Sequence, residues 1–326
     1  MSDQSAIGSK EENVLIQAGG CEVTIFPDMG GKIASIRVRG QELLQAPLAP
    51  YGPRTQTMGF DEGDASGWDE CLPSVASCTV ETTAGKVPVS DHGDLWRQVW
   101  KTTAKTANST TMRAECFSLP LAVERTATLI ETKNGWRLSL LYKVTNTGAS
   151  PAPWSWAAHP LFTAEAGDRI VLPESIRELR IEGSGGNRLG QGGDKVAWPV
   201  AELAKGGQTD LSVAEEPTTG IGDKLFSGRL TAAENFCALE RPRAGLRIRF
   251  GFDPAVTPYL GLWICYGGWP DKPGPKQVCV AMEPSTAPVD SLAIGGPWSL
   301  VLAPGESYSW PVIVDLETLQ DVNPHA

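Results

Sequence analysis

The sequence predicts an all-β protein that folds as a large antiparallel sandwich or barrel. Its 326 residues include 35 Gly and 25 Pro, and both residue types destabilise helix interiors, which disfavours a helix bundle. Segment after segment alternates apolar and polar residues with a period of two, the pattern of half-buried strands. Turn-forming residues separate these segments at intervals of roughly ten residues, as expected for a large sandwich.

The predicted strands can be placed in chain order. The most regular ones cover residues 21–26, a strand that starts near Lys32 and Ile33, and residues 123–132, 136–144, 246–250 and 308–314. Asn134-Gly135 lies between two of these runs and predicts a β-hairpin, because this dipeptide fits the tight turns that join antiparallel strands. No segment has the apolar periodicity of an amphipathic helix longer than three turns.

Residues 14–318 are predicted to form a single domain. No repeat or linker divides this range, and the polar, Gly-rich residues 182–195 are interpreted as a surface loop because strand patterns continue on both sides. Residues 1–13 are polar and lack the apolar core of a signal peptide, so we expect a disordered N-terminus. Residues 319–326 are expected to form a tail.

Charge and cysteine content limit the partners and the compartment. The net charge of -10 disfavours nucleic acid as a partner, because little basic charge is available to neutralise phosphates. No run approaches the roughly 20 apolar residues of a membrane span, so no membrane is expected either. The number of cysteines, seven, is odd, and the sequence contains no Cys-x-x-Cys motif. Both observations favour reduced thiols in a cytoplasmic protein. The expected partner is a small molecule that is neutral or at most locally charged.

The common catalytic motifs are absent from the sequence. It contains no Gly-x-x-x-x-Gly-Lys-Ser/Thr loop, no Gly-x-Gly-x-x-Gly that opens a helix, no Gly-x-Ser-x-Gly elbow and no His-Glu-x-x-His. Only three histidines are present, and His325 lies in the predicted tail. His92 and His159 are far apart in sequence without a neighbouring third ligand, so no metal site is predicted. A Ser–His–Asp triad stays open, since no serine is singled out.

Each of the two remaining histidines has a functional and a structural interpretation. His92 lies between Asp91 and Gly93, which suits a loop that aims the ring at a cleft; alternatively, Asp91 only holds a loop histidine by a hydrogen bond. His159 lies in the apolar run 154–162, where burial favours the neutral imidazole. It is either a catalytic group or a core histidine with satisfied hydrogen bonds.

Glu283 is the carboxylate that stands out. It ends the apolar run 278–282, and a charge there is costly unless it is paired or functional. Pro284 stops the strand directly after it, which would hold the carboxylate at the rim of a sheet. The alternative is a rim glutamate in an ion pair.

Tryptophan dominates the aromatic residues, with 11 Trp against 8 Phe and 5 Tyr. Flat indole faces suit the apolar C–H faces of a sugar, while carboxylates and imidazoles bind its hydroxyls. Core packing accounts for most of these tryptophans equally well. The tryptophans close in sequence to the polar candidates are Trp68, Trp96, Trp100, Trp154, Trp156 and Trp263.

Five short motifs occur in a particular order along the chain. They are Asp-Met-Gly-Gly-Lys-Ile at 28–33, Gly-Trp-Asp-Glu-Cys-Leu-Pro-Ser at 67–74, Asp-His-Gly-Asp-Leu-Trp at 91–96, His-Pro-Leu-Phe at 159–162 and Met-Glu-Pro at 282–284. In this order they resemble the aldose 1-epimerase (galactose mutarotase-like) family. With the flanking strand pattern, the resemblance spans roughly residues 20 to 315.

The resemblance implies a β-supersandwich with a sugar cleft on one concave sheet. It also implies an isomerase that needs no cofactor and interconverts the α and β anomers of a hexose. In the family, the histidine of the His-Pro motif is the general acid toward the ring oxygen, and the glutamate of the Glu-Pro motif is the base toward the anomeric hydroxyl. These map to His159 and Glu283. The family's sugar-binding histidine maps to His92, and Asp223 matches an aspartate that binds ring hydroxyls.

The sequence also departs from the family pattern. Many members have an Asn-Arg pair ahead of the His-Gly motif, where this chain has Trp68-Asp69-Glu70, and this leaves the sugar's identity open. Asp69, Trp68 and Trp96 are predicted to bind substrate. Lys32 and Arg97 are candidate anchors for a phosphosugar, although each is also explained as a solvated surface charge.

Three functions follow from these observations. The favoured one is a mutarotase for a neutral aldose, acting as a monomer or homodimer on a small-molecule sugar. The alternatives are a hexose-phosphate 1-epimerase and a non-catalytic carbohydrate-binding or sensing protein on the same fold.

Overall fold

The structure, a computed structural model, describes residues 11–319. Residues 1–10 and 320–326 lie outside the described residues, and with them most of the predicted disordered N-terminus, most of the predicted tail and His325. The first strand begins at Val14 and the last ends at Thr318.

Strands make up nearly all of the regular structure in residues 11–319. Their bounds are β1 Val14–Ala18, β2 Cys21–Phe26, β3 Lys32–Val38, β4 Gln41–Glu42, β5 Trp68–Cys71, β6 Cys78–Thr82, β7 Gly85–Val89, β8 Lys101–Lys105, β9 Ser109–Glu115, β10 Leu121–Thr132, β11 Gly135–Asn146, β12 Ala152–Trp154, β13 Ala157–Thr163, β14 Arg169–Val171, β15 Glu178–Ser184, β16 Lys195–Ala197, β17 Val200–Glu202, β18 Gln208–Asp210, β19 Ile221–Phe226, β20 Phe236–Arg241, β21 Leu246–Phe252, β22 Tyr259–Tyr266, β23 Val278–Ser285, β24 Leu300–Leu302 and β25 Ser307–Thr318.

The helices of the described range are single 3₁₀ turns. They are Pro27–Met29, Phe60–Glu62, Leu95–Arg97, Gly185–Asn187, Pro217–Thr219 and Pro242–Ala244. Across residues 11–319, therefore, no helix has the length and apolar character needed to cross a membrane.

Two large antiparallel sheets form the sandwich. The first has eleven strands, in the order β1-β2-β3-β5-β13-β23-β22-β19-β15-β16, with β4 paired to β3. The second has eight strands, in the order β14-β20-β21-β25-β11-β10-β9-β8. Three two-stranded ribbons, β6-β7, β12-β24 and β17-β18, lie outside them. The all-β antiparallel class predicted from the sequence is confirmed.

The period-two pattern of the sequence is the reason these strands pack as a sandwich. Along β11, for example, every second residue from Trp136 is buried while the residues between them face outward. The buried set meets the inner face of the eleven-stranded sheet, where Tyr142 Oη of β11 donates a hydrogen bond to Glu70 of β5 at 2.8 Å. The hairpin predicted at Asn134-Gly135 joins β10 to β11.

One predicted loop is shorter than expected. Within residues 182–195, the first three residues extend β15 and Lys195 begins β16. These strands pair at the sheet edge, where Arg180 lies opposite Lys195. The polar composition of this segment conceals the strands because, at the edge of a sheet, much of their length stays in contact with water.

Strand β5 is buried on both of its faces. Trp68 and Glu70 point into the core between the sheets, while Asp69 and Cys71 point to the opposite face, because side chains alternate along a strand. The Glu70 carboxylate is bound by three side chains. It accepts hydrogen bonds from Arg125 Nη1 at 2.9 Å, Tyr142 Oη at 2.8 Å and Trp156 Nε1 at 2.9 Å.

The Glu70–Arg125 ion pair connects the two sheets. Glu70 lies on β5 of the larger sheet and Arg125 on β10 of the smaller one, and Arg125 also donates to the carbonyl of Gly31. A buried ion pair is strongly destabilising when one partner is removed, because the other charge is left without compensation.

We therefore expect Arg125→Met to lower the free energy of unfolding by about 3–5 kcal/mol. The control is Arg113→Met on the neighbouring strand β9, whose ion pair with Glu115 is exposed and should contribute about 0–1 kcal/mol. Urea denaturation of both variants measures the difference. Equal losses would show that the buried pair does not hold the sheets together.

Candidate functional site

A row of polar side chains crosses the face of the larger sheet that points away from the core. The β5–β13 register places Asp69 opposite His159, and the β13–β23 register places His159 level with Glu283. Lys32 on β3 reaches Asp69 at one end, and Lys224 on β19 reaches Glu283 at the other. We call these five residues the polar row. All five are buried.

Glu283 lies beneath Lys224. Lys224 Nζ donates a hydrogen bond to Glu283 Oε2 and lies 3.7 Å from Asp290 Oδ1. Gly261 is directly opposite Glu283, and a Cβ at this glycine would lie 2.9 Å from Oε2, so the missing side chain leaves room for the carboxylate. Burial raises the pKa of Glu283, while the Lys224 ammonium opposes that rise.

Burial also controls the protonation of His159. Its Nε2 lies 4.0 Å from Glu283 Oε1, and its Nδ1 has no hydrogen-bond partner in the described part of the chain. Burial, together with the nearby His92, Lys224 and Lys32, lowers the pKa of the His159 imidazole well below 6.5. The apolar surroundings seen in the sequence thus have the electrostatic effect expected of them.

His92 lies above His159 on the loop that follows β7. Its backbone has a φ of 57°, in the left-handed region, and its Nδ1 lies 2.9 Å from Asp91 Oδ2. The ring stacks on Phe60, with centroids 3.7 Å apart, and lies perpendicular to the His159 ring at 5.1 Å. Both sequence interpretations of His92 hold at once, because Asp91 binds the ring and the ring borders a cavity.

The cavity over the polar row has a volume of about 520 Å³. His159 and Lys224 form part of its floor, and Phe60, Trp263 and Trp269 supply flat apolar surface. Glu283 is not among the lining residues, because Lys224 covers it. A cavity with aromatic walls and a few convergent polar groups is typical of a small-molecule site.

Acidic groups dominate the charge around the cavity. Asp61, Asp91, Asp271 and Asp290 line it, against Lys224 and Lys272. Both lysines already have carboxylate partners, since Lys272 Nζ lies 3.1 Å from Asp61 Oδ2. The cavity therefore offers no unpaired basic group to an anionic ligand among the residues described.

Asp223 and Trp68 do not reach the cavity. Asp223 neighbours Lys224 on β19 and so points to the opposite face of the sheet. There it accepts hydrogen bonds from Ser184 at 2.7 Å and Arg188 at 2.6 and 2.8 Å. Trp68 packs in the core between the sheets. We therefore leave both residues out of the proposed ligand site.

Trp96 and Arg97 lie behind the cavity wall. The Trp96 ring contacts the edge of Phe60 at 5.2 Å, and the Arg97 guanidinium lies over Trp96 at 4.3 Å. Arg97 donates to the carbonyls of Met58 at 2.9 Å and Gly93 at 2.6 Å. Arg97 is thus bonded within the protein and does not line the cavity, so this geometry gives it no role as a phosphate anchor.

Lys32 belongs to a buried group of four charges. Its ammonium lies 2.5 Å from Asp69 Oδ2 and 3.1 Å from Asp64 Oδ1, and Asp64 also pairs with Arg54. Two cations and two carboxylates balance in formal charge. The neighbouring cations Lys32 and Arg54 lower the pKa of Asp64, whereas burial raises the pKa of Asp69 although the same cations oppose that rise. Despite burial, the two carboxylates raise the pKa of Lys32.

The other end of the polar row is not balanced. Glu283 and Asp290 carry two negative charges against the single positive charge of Lys224, so one additional proton would neutralise this end. His159 and Glu283 are the groups that can hold it. Since burial raises the pKa of Glu283 and lowers that of His159, the two acidities approach each other. Such a pair can hold a proton on either member.

Sequence reasoning missed Lys224, Asp290, Phe60 and Trp269, whereas Trp263 was among the tryptophans named beside the polar candidates. One signal was available for Lys224, because a buried carboxylate such as Glu283 requires a cation. Asp290 lies in an irregular segment and Phe60 in a single 3₁₀ turn, and neither carries a strand periodicity that could place it. Within residues 11–319, no three His, Cys, Asp or Glu side chains are grouped to hold a metal ion.

Comparisons with known proteins establish the fold. No protein-family model and no curated protein sequence matches the chain. Solved structures do match. A Synechocystis protein aligns with a TM-score of 0.70 at 16% identity, covering 98% of this chain and 100% of its own. A galactose mutarotase-like protein from Lactobacillus casei has a TM-score of 0.66 at 18% identity, covering 94% and 100%.

A third structure, a galactose mutarotase related enzyme from Lactobacillus acidophilus, has a TM-score of 0.65 at 15% identity and covers 95% of this chain and 99% of its own. The chain therefore has the galactose mutarotase-like fold, as its motifs predict. At these identities the comparison shows the fold alone, and the residues of the cavity must supply the argument for an activity.

The lowered pKa of His159 leads to a spectroscopic prediction. We expect its ring to stay neutral at pH 6.5 and to take up a proton only well below that pH. NMR of protein labelled with ¹⁵N-histidine measures this directly, since the chain has only three histidines and His159→Gln identifies the signal. A His92→Gln sample serves as the control. A midpoint at or above pH 6.5 would contradict the electrostatic picture of the site.

Proposed function

We propose that the protein is an aldose 1-epimerase, a mutarotase that interconverts the α and β anomers of a neutral hexose. The observation that carries the proposal is the pairing of His159 Nε2 with Glu283 Oε1, 4.0 Å apart, where His159 forms part of the floor of a cavity with aromatic walls and Glu283 lies directly beneath Lys224. The galactose mutarotase-like fold and the His-Pro and Glu-Pro motifs support it.

The chemistry needs two proton carriers side by side. Opening a cyclic hemiacetal removes the proton of the anomeric hydroxyl, O1, and delivers a proton to the ring oxygen, O5. Both oxygens are bonded to C1, so the groups that serve them must be close neighbours. The reacting form of the pair carries its shared proton on His159 and leaves Glu283 ionised. Glu283 then takes the O1 proton, and the imidazolium gives its Nε2 proton to O5. Rotation about C1–C2 then presents the other face of the aldehyde, and the two groups reverse their roles to close the ring.

The position of Lys224 adds a step to this scheme. Because the ammonium covers Glu283, a sugar meets Lys224 before it meets the carboxylate. Asp290 Oδ1 lies 3.7 Å from Nζ and has no hydrogen-bond partner among the described residues. We propose that the bound sugar shifts the ammonium toward Asp290. Glu283 then loses its cation and becomes the stronger base that the reaction needs.

Replacing either proton carrier tests the proposal. Glu283→Gln and His159→Gln should each reduce the rate of catalysed mutarotation on the order of 10²–10⁴-fold, because each removes a positioned acid or base. Polarimetry on freshly dissolved α-anomers of a panel of aldoses measures the rate. Glu81→Gln, on the exposed β6-β7 ribbon, is the control and should match the wild type.

A wild-type protein that adds nothing to spontaneous mutarotation would refute the enzyme assignment. Sugar binding without acceleration would then favour the non-catalytic carbohydrate-binding alternative.

The acidic surroundings of the cavity favour a neutral sugar over a phosphosugar. Four aspartates line the cavity, and its two lysines are already paired. We expect kcat/KM for a neutral hexose to exceed that for its 6-phosphate by about tenfold or more, since like charges at a binding surface cost several kcal/mol. Exchange NMR of the two anomers measures both substrates. A preference for the phosphosugar would reverse this assignment in favour of a hexose-phosphate 1-epimerase.

A further inference from the structure

The polar row contains three buried atoms without a hydrogen-bond partner in the described structure. One is Glu283 Oε1, which lies 4.0 Å from His159 Nε2, and the other two belong to His159 and Asp69. His159 Nδ1 and Asp69 Oδ1 both lack a hydrogen bond in the described structure. The two residues are directly opposite each other on β13 and β5. Opposed residues of an antiparallel pair have Cβ atoms about 4.5–5.5 Å apart, which lets their side chains meet.

The missing hydrogen bonds of His159 Nδ1 and Asp69 Oδ1 are informative because both atoms are buried. A buried polar atom without a hydrogen bond is costly, and few such atoms persist without a reason. The other oxygen of Asp69, Oδ2, is held by Lys32 at 2.5 Å, so the carboxylate is anchored from the side away from His159. Its free oxygen remains on the side of the imidazole.

We propose that Asp69 is the positioning residue of His159: when the two opposed side chains close the gap between them, Asp69 Oδ1 accepts the Nδ1–H of the imidazole and directs Nε2 toward the sugar. This rests on the proposed function for its catalytic consequence. With the Nδ1 proton held by Asp69, Nε2 is the nitrogen that exchanges a proton with O5. A carboxylate next to the ring also stabilises the imidazolium, the form in which His159 acts as an acid.

Lys32 has a defined place in this arrangement. It lies between Asp69 and Asp64, and its ammonium opposes the rise in the pKa of Asp69 that burial causes. The Trp68-Asp69-Glu70 segment supplies a carboxylate to the histidine instead of a side chain to the sugar.

Several charged or titratable groups surround the His159 ring and contribute to its titration. Those on neighbouring strands are Lys32, Asp69, Cys71, Lys224 and Glu283, and those on the loops above are Asp91, His92 and Asp290. A change at Asp69 must therefore be compared with a change that perturbs the same surroundings without facing the ring. Asp64 is that residue, because it shares Lys32 with Asp69 but does not lie opposite His159.

The first test uses the wild-type protein and does not depend on activity. In ¹⁵N-histidine NMR at neutral pH, we expect His159 to carry its proton on Nδ1, with Nε2 unprotonated. A proton on Nε2 and a bare Nδ1 would overturn the proposal. This result also separates it from the proposed function, because the tautomer can be read even if the protein does not accelerate mutarotation.

The second test compares Asp69→Asn with Asp64→Asn. Asp69→Asn should shift the His159 titration to lower pH, lower kcat by about 10- to 100-fold with little change in KM, and move the alkaline limb of the pH profile to lower pH. Asp64→Asn, which removes a carboxylate from the same charge cluster, should keep the wild-type tautomer, kcat and pH profile. Equal effects of the two variants would reduce Asp69 to a structural partner of Lys32 and overturn the proposal.

Discussion

The buried ion pair between Glu70 and Arg125 is the contact on which the site depends. It connects the two sheets through β5, and the hydrogen bonds from Tyr142 and Trp156 leave the Glu70 carboxylate a single orientation. Because side chains alternate along a strand, anchoring Glu70 in the core forces Asp69 to the opposite face. The position of the polar row is therefore determined by an ion pair buried in the core between the two sheets, away from the cavity.

The electrostatics of the polar row follow from where its cations lie. Lys32 is part of a balanced group of four charges, whereas Lys224 faces two carboxylates alone. The excess negative charge lies beside His159 and Glu283. Burial raises the pKa of Glu283 and lowers the pKa of His159, so it shifts the two values toward each other. Lys224 covers Glu283, while the His159 ring borders the cavity. The charge that Lys224 supplies therefore controls how strong a base Glu283 is in this site.

The fold was predictable from the sequence because the alternation of apolar and polar residues recurs in strand after strand. The apolar strand pattern also identified Glu283 as a carboxylate whose burial is costly unless it is paired or functional. The choice between Asp223 and Lys224 was not predictable in this way, since the two are adjacent and a shift of one residue exchanges the faces of a strand. Phe60 reaches the cavity from a single 3₁₀ turn and Asp290 from an irregular segment, and the positions of both depend on long-range contacts rather than on local pattern.

The alternation in β5 also bears on how such a protein can diversify. Its outward residues lie on the face of the sheet that carries His159 and its inward residues hold the interior, so a substitution at an outward position changes the surroundings of His159 while the inward contacts are retained. Insertion or deletion of one residue would exchange the two sets and place Glu70 on the face that carries His159. This strand can therefore accept substitutions but not insertions or deletions. This agrees with a fold that is shared between proteins at very low sequence identity.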